Sequence, residues 1–417
     1  VNSVRALDPT GAEAAFASAF KSGPRSPEAS EAFARFTATG LPSRRLESWH
    51  YTDLRRALGV PAPFAPQPGS DRIAEVKAEL ATTPRLGATR LVLVDGRFAP
   101  ELSDAAPEGA TMRGGAPALV LSDREDPMLA FAGAFAQGGF SFEVQDGADV
   151  GRVEIVHVLR AAVSSASHVR FYFLPEARGV IVERTLGAGQ GAQRHRLASF
   201  ELSASAKVEH VAIVEDDTAV EIESLRVTLQ QGAAFSSFGY VASGALTRRQ
   251  IFARLDGPRA AVAISGLSLI HGTRHADTTL EVAHAAPHGA SREFFRHIVA
   301  DSGVGVYQGK VIVAPRAQKT DGAMKSQALL LSPTAQMNNK PELEIFADDV
   351  VCGHGATVGA LDPEQTFYLQ SRGVPKPEAE AMLLEAFGVE AIERVADETV
   401  ADALRERLRL WLKGRAK

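Results

Sequence analysis

Hydrophobic positions recur with two textures along the chain, one at both ends and another between them. The first stretch is helical in spacing. Ser26 and Pro27 form a cap and first-turn pair ahead of Ala29, Phe33 and Phe36 on one face. Pro61, Pro63, Pro66 and Pro68 predict a stiff, extended linker. Ser70 reads as the cap of a short helix that buries Ile73, Val76 and Leu80, and Leu91–Val94 followed by Asp95-Gly96 reads as a strand and turn.

From about Ala148 to Val351 the helical spacing stops. Short runs of Val, Ile, Phe and Tyr, such as Val153–Val158, Val180–Glu183, Val208–Val214, Ala261–Ile264 and Val311–Val313, alternate with small and polar residues. An alanine precedes a strand-like run at positions 148, 177, 206, 233, 260 and 290, with gaps of 29, 29, 27, 27 and 30 residues. A near-constant period of this length is the mark of a solenoid, in which each coil buries its inner face only against the next. Several short strands per coil predict a mainly β chain with a parallel β-helix core. A β-sandwich also has short strands between turns but does not require the repeat.

After Pro363 the helical period returns. Pro377 opens a segment with Ala379, Met382, Leu383, Ala386 and Phe387 at helical spacing, for which Gly388 is the expected stop. A last helix carries Val400, Leu404, Leu408, Trp411 and Leu412 on one stripe, leaving Arg405, Arg407 and Arg409 on a solvated face. The expected division is a helical N-terminal domain with its linker over residues 1–85, a β-helix core over 86–360 and a helical C-terminal domain over 361–417.

Composition narrows the function. The chain has 417 residues, with 45 basic and 50 acidic side chains and a net charge of −5, which gives no reason to expect nucleic acid or an anionic membrane as partner. One cysteine makes no intrachain disulfide and does not hold a whole iron–sulfur cluster or zinc ribbon alone. No run approaches the roughly 20 apolar residues of a membrane span, and Val1–Phe20 lacks a basic-then-apolar signal pattern, so a cytoplasmic location is expected.

Four features bear on chemistry. Gly303–Lys310 resembles a phosphate loop but has the wrong glycine spacing, and Val311 stands where a magnesium-binding Ser or Thr is needed, so no ATPase activity is expected. His271, His275, His284, His288 and His297 cluster in sequence, but their spacings of 4, 9, 4 and 9 fit no single strand face; hydrogen bonding between coils or in turns is the simpler reading. In Cys352-Gly353-His354, residues two apart on an extended backbone project to the same side, so thiolate and imidazole could share a metal; on these grounds alone a lone cysteine is more often a small buried apolar residue. Asp348 and Asp349 are adjacent and face opposite ways in a strand. Only with Asp277 or Asp321 could they serve a carbohydrate-active β-helix enzyme, the alternative reading besides a purely structural partner.

Residues 271–376 resemble the core of the SufB/SufD family of iron–sulfur cluster assembly proteins. The likeness is carried by Gly309-Lys310-Val311, Ala317-Gln318-Lys319-Thr320-Asp321, Leu329-Leu330-Leu331-Ser332, Lys340-Pro341-Glu342-Leu343-Glu344-Ile345 and, most specifically, the run from Ala347 through Cys352-Gly353-His354 to Gly359. It continues through Phe367-Tyr368-Leu369 and Ser371-Arg372-Gly373. Near the N-terminus, Leu41-Pro42-Ser43-Arg44-Arg45 with Glu47, Trp49, Tyr51 and Thr52 is similar to the SufD branch, as is the single cysteine. Gly353 departs from the family, which usually has Ser between Cys and His.

The resemblance implies a right-handed parallel β-helix between helical domains and a non-catalytic scaffold role. It implies pairing with a SufB-like paralogue through the β-helices and a SufC-like ATPase docked on the C-terminal helices, for which Val374, Ala381, Leu384 and Phe387 are the candidate contacts. The same helices could also cover the open end of the solenoid. Cys352 and His354 match the family's residues at the paired interface, where a transient iron–sulfur cluster is shared with the partner chain and none is tightly held by one chain alone. A homodimer in isolation is a further expectation.

Overall fold

The computed structural model describes residues 11–22, 26–119, 121 and 126–415. Successive strands alternate between two sheets, one of ten strands and one of nine, and within the coils each strand pairs with the strand two along in the chain. The pairings are parallel throughout the coils. The exceptions come at the start, where Thr89–Val94 meets Arg97–Phe98 and Ala110–Gly114 meets Gly138–Val144 in antiparallel fashion. The result is a parallel β-solenoid of about eight coils, each contributing one strand to either sheet.

The alanine period is the coil period. Arg178 pairs with Lys207, Lys207 with Ala234, Ala234 with Ala261 and Ala261 with Ala290, steps of 29, 27, 27 and 29 residues. Ala177, Ala206, Ala233 and Ala260 stack at one corner with no exposed surface. The last anchor is out by one: Ala290 stands above Ala261, so the corner position there belongs to Gly289. The residue before each corner position has positive φ. This ladder of Gly147, Glu176, Ser205, Gly232, Arg259, His288 and Lys319 spans φ values of 58–67°. Each of their N–H groups donates to a carbonyl of the following coil, from Gly147 to Pro175 at 2.9 Å down to Lys319 to Asp349 at 2.6 Å. Those hydrogen bonds offset the roughly 1–2 kcal/mol that a side chain costs in this conformation, which is why five of these seven positions are not glycine.

The helices cover the outer faces of the sheets. Phe16, Phe36, Trp49 and Leu54 pack with Phe131 and Phe135 of the helix Pro127–Phe135 onto Val220, Ile222 and Leu246 of the nine-stranded sheet. Leu384, Ile392, Val400, Leu404 and Leu408 pack onto Val211, Ile213, Phe238, Leu267 and Ile298 of the ten-stranded sheet. The C-terminal helices therefore lie along the side of the solenoid and do not close its end.

Several local expectations change. Ser26 does cap its helix, accepting from the Ala29 N–H at 3.1 Å, but the cap of the helix Ser70–Thr82 is Gly69. The proline stretch is pinned to the solenoid: Ala65 N–H donates to Ser164 O and Ser164 N–H to Pro63 O, each at 2.8 Å. Gly388 does not stop its helix, which runs Lys376–Ile392. It is a packing glycine, since a Cβ there would lie 2.7 Å from Leu408 Cδ2. Gly303–Lys310 contributes to the strand Val304–Val313.

Candidate functional site at the open end of the solenoid

The strands Gln336–Ile345 and Val351–Gly359 are each last in their sheet, so one edge of each offers its backbone hydrogen-bonding groups to another chain. Around them Ile345, Phe346, Val351 and Val358 are exposed, Val351 by 74%. An uncovered edge with an apolar rim is the usual form of a docking surface.

Cys352 and His354 sit on this terminal strand. Cys352 pairs with Gly322 and His354 with Met324, and both of those residues face the lumen side of their strand. Alternation therefore places the thiol and the imidazole on one face. Cys352 is half-buried against the core, while His354 is exposed. Burial pushes the Cys352 thiol above its ordinary value, and the neighbouring acids Asp321 and Glu293 add to the shift. Ligation by a metal would reverse this by favouring the thiolate.

The other sequence candidates are apart. Asp349 is engaged in the corner turn, where its N–H donates to Gln318 Oε1 at 2.9 Å and its carboxylate pairs with Lys319. Asp321 pairs with Arg292 at 2.5 Å. Asp277 is held by Arg248 at 2.5 Å and by Thr52 and Thr279, on the opposite sheet. These acids form no facing pair. Among the histidines, His271 contacts Arg274, His275 bonds Thr52 at 2.9 Å, His288 occupies a corner turn, and His284 and His297 are buried. Among the described residues no three His, Cys, Asp or Glu side chains gather to hold a metal ion. Cys352 and His354 alone would offer two ligands, and a cluster bound there would need others from another chain.

Of the C-terminal candidates, Leu384 is 6% exposed and faces the solenoid, and Phe387 is half-buried with the Arg296 guanidinium 4.6 Å from its ring centre. These two serve the intramolecular core. Val374 and Ala381 are half-buried, while Phe367, Tyr368 and Met382 are exposed by 71%, 57% and 47%. Sequence spacing missed these three because their exposure depends on which helix face meets the sheet.

The N-terminal Trp49 segment has a structural task near this end. Trp49 lies under Arg248, whose guanidinium carbon is 3.7 Å from the ring centre, and donates to Asp126 at 2.8 Å. Arg248 and Gln308 both donate to Ser48 O, at 2.7 and 3.1 Å, and Glu47 pairs with Lys340 of the edge strand at 2.9 Å. No helix among the described residues is long and apolar enough to cross a membrane.

Comparison with known proteins agrees with this geometry. The family described as "SUF system FeS cluster assembly, SufBD core domain" matches residues 157–387. The chain is 30% identical to the iron–sulfur cluster assembly protein SufD of Escherichia coli over 94% of both chains. It is 24% identical to an iron–sulfur cluster assembly SufBD family protein of Synechocystis over 88% of this chain and 86% of the other. A chloroplastic Arabidopsis thaliana protein, ABCI7, is 34% identical over 40% of this chain and 35% of its own length. The solenoid, its open end and these similarities together make the chain a member of the SufBD family of iron–sulfur cluster assembly proteins, homologous to SufD along nearly its whole length.

Proposed function

We propose that the chain is a non-catalytic scaffold subunit that pairs with a SufB-like paralogue through the open end of its solenoid, in the cytoplasm. Cys352 and His354 supply half of a ligand set for a nascent iron–sulfur cluster, which is cargo. The observation that carries this reading is that the C-terminal helices leave the terminal coil uncovered, with Cys352 and His354 on one face of its last strand. A cluster that must leave is served by divided ligation: separating the two chains weakens every bond together. A SufC-like ATPase drives that separation, provided ATP favours the open arrangement. Its docking surface centres on Phe367, Tyr368 and Met382, with Val374 and Ala381 in the same helical segment.

The test is affinity purification from native cells under anaerobic conditions. Recovery of a larger β-helix relative, an ATPase and bound iron and sulfide supports the assignment. A chain recovered alone or as a homodimer, with full iron–sulfur enzyme activity in cells lacking it, overturns it.

A further inference from the structure

Most acids buried between the two sheets are matched by cations. Glu183 meets His157, His210 and Arg196 at 2.7, 3.1 and 3.4 Å; Glu221 meets Arg196 and Arg194 at 2.8 and 3.0 Å; Glu223 meets Arg249 at 3.0 Å. Glu293 breaks the pattern. It is 2% exposed, and neither carboxyl oxygen has a hydrogen-bond partner among the described residues. Ser291 Oγ, Tyr307 Oη and both ring nitrogens of His284 and His297 are buried and unpartnered as well. Ser291 is the Glu293 carboxyl's near neighbour, yet the two do not meet in hydrogen-bonding geometry.

All these groups belong to the strands His275–His284, Ala290–Val299 and Val304–Val313. Alternation places Ser291, Glu293, Phe295 and His297 on one face, and Phe295 packs against Tyr307 of the other sheet at 4.9 Å, so that face is the lumen. Two glycines let these groups approach one another closely. A Cβ on Gly309 would lie 2.6 Å from Tyr307 Oη and 2.5 Å from Met324 Sδ. A Cβ on Gly322 would lie 3.4 Å from both Ser291 Oγ and Cys352 Sγ, so these two groups flank the same glycine.

Buried polar groups in native interiors that lack protein partners are where ordered water resides, and each such water needs two to four polar neighbours. A carboxyl, two hydroxyls and two imidazoles supply both donors and acceptors. We propose that the lumen of these coils is an internal water site, in which a small cluster of ordered waters is held by Ser291, Glu293 and Tyr307 and reaches the inner side of Cys352 past Gly322. Burial pushes Glu293 up to about 8, so near neutral pH its carboxyl largely keeps a proton and donates as well as accepts. The site solvates the Cys352 thiol from within the solenoid, whatever binds it from outside, and so stands apart from the cluster reading.

A crystal structure of the full chain at a resolution that places water decides the matter. The expected result is ordered water within hydrogen-bonding distance of the Glu293 carboxyl and the Tyr307 hydroxyl. A dry lumen, with Glu293 bonded directly to Tyr307 or Ser291, overturns the proposal. Thermal unfolding of Tyr307→Phe gives a second readout. A rise in Tm, the result for a hydroxyl left unpartnered in a dry lumen, overturns the proposal; the expected fall of about 1–3 °C is read with the crystal structure, which separates a bridging water from a direct bond to Glu293.

Discussion

Cys352 stands directly above Gly322 in the strand ladder, so that a Cβ on that glycine would be 3.4 Å from Sγ. The thiol is thereby seated on the last coil's inner edge, half-buried against the core and within the field of Asp321 and Glu293. A thiol raised by burial and by neighbouring acids is a slow nucleophile. Alkylation of Cys352 in the native chain is expected to be slower at pH 7 than that of a free thiol and to rise steeply only above pH 9. Asp321→Asn is expected to speed it. Rapid alkylation of the native chain at pH 7 would show that the acids do not act on the sulfur.

Trp49 is fully buried beneath Arg248 and ties the N-terminal segment to the sheet. Trp49→Ala removes a large side chain and leaves Arg248 without its stacking partner. The expected loss is about 3–5 kcal/mol, read as a lower urea midpoint. An unchanged midpoint would mean that the segment docks without contributing stability.

At Gly388 the two long C-terminal helices touch so closely that a Cβ would meet Leu408 at 2.7 Å and Leu267 at 3.4 Å. Gly388→Ala gains helix propensity, worth about 1 kcal/mol, but the clash costs about 1–3 kcal/mol. The net effect expected is destabilisation or a shifted helix pair, measured by urea unfolding and by protease sensitivity after residue 360. A more stable variant would show that the contact relaxes freely.

Acid and alkali are expected to act through different groups. Burial holds His168, His195 and His297 down to about 3 and His284 to about 4, all below the ordinary 6.5. Protonation thus favours the unfolded chain. The stability these histidines contribute is complete above pH 6.5 and is lost as pH falls from there toward about 3. Glu293 is raised from 4.5 to about 8, so its contribution is complete below pH 4.5 and is lost as pH rises toward 8. In urea titrations across this range, Glu293→Gln is expected to gain on the parent chain as pH rises. Parallel pH profiles for the two would contradict this.

The sequence made the solenoid legible because its corner alanines must be small wherever coils stack, as at Ala177, Ala206, Ala233 and Ala260. It also placed Cys352 and His354 on one face, since strand alternation needs only the backbone. Gly388 misled because a glycine at a close helix crossing and a glycine at a helix end look alike in one dimension. Leu384 misled because helical spacing defines an apolar face without saying whether it meets the solenoid or a partner. Glu293 was silent, because its lack of a hydrogen-bond partner among the described residues depends on which side chains the neighbouring coils bring beside it.

The account rests most heavily on Cys352 and His354 acting as half of a divided ligand set. Its direct test is the iron and acid-labile sulfide content of the chain purified anaerobically with its co-expressed partners, compared with the Cys352→Ser/His354→Ala double variant. The expected result is an intact, correctly assembled complex that has lost most of its iron and sulfide. A double variant that assembles and carries the parent amount of both would contradict the account.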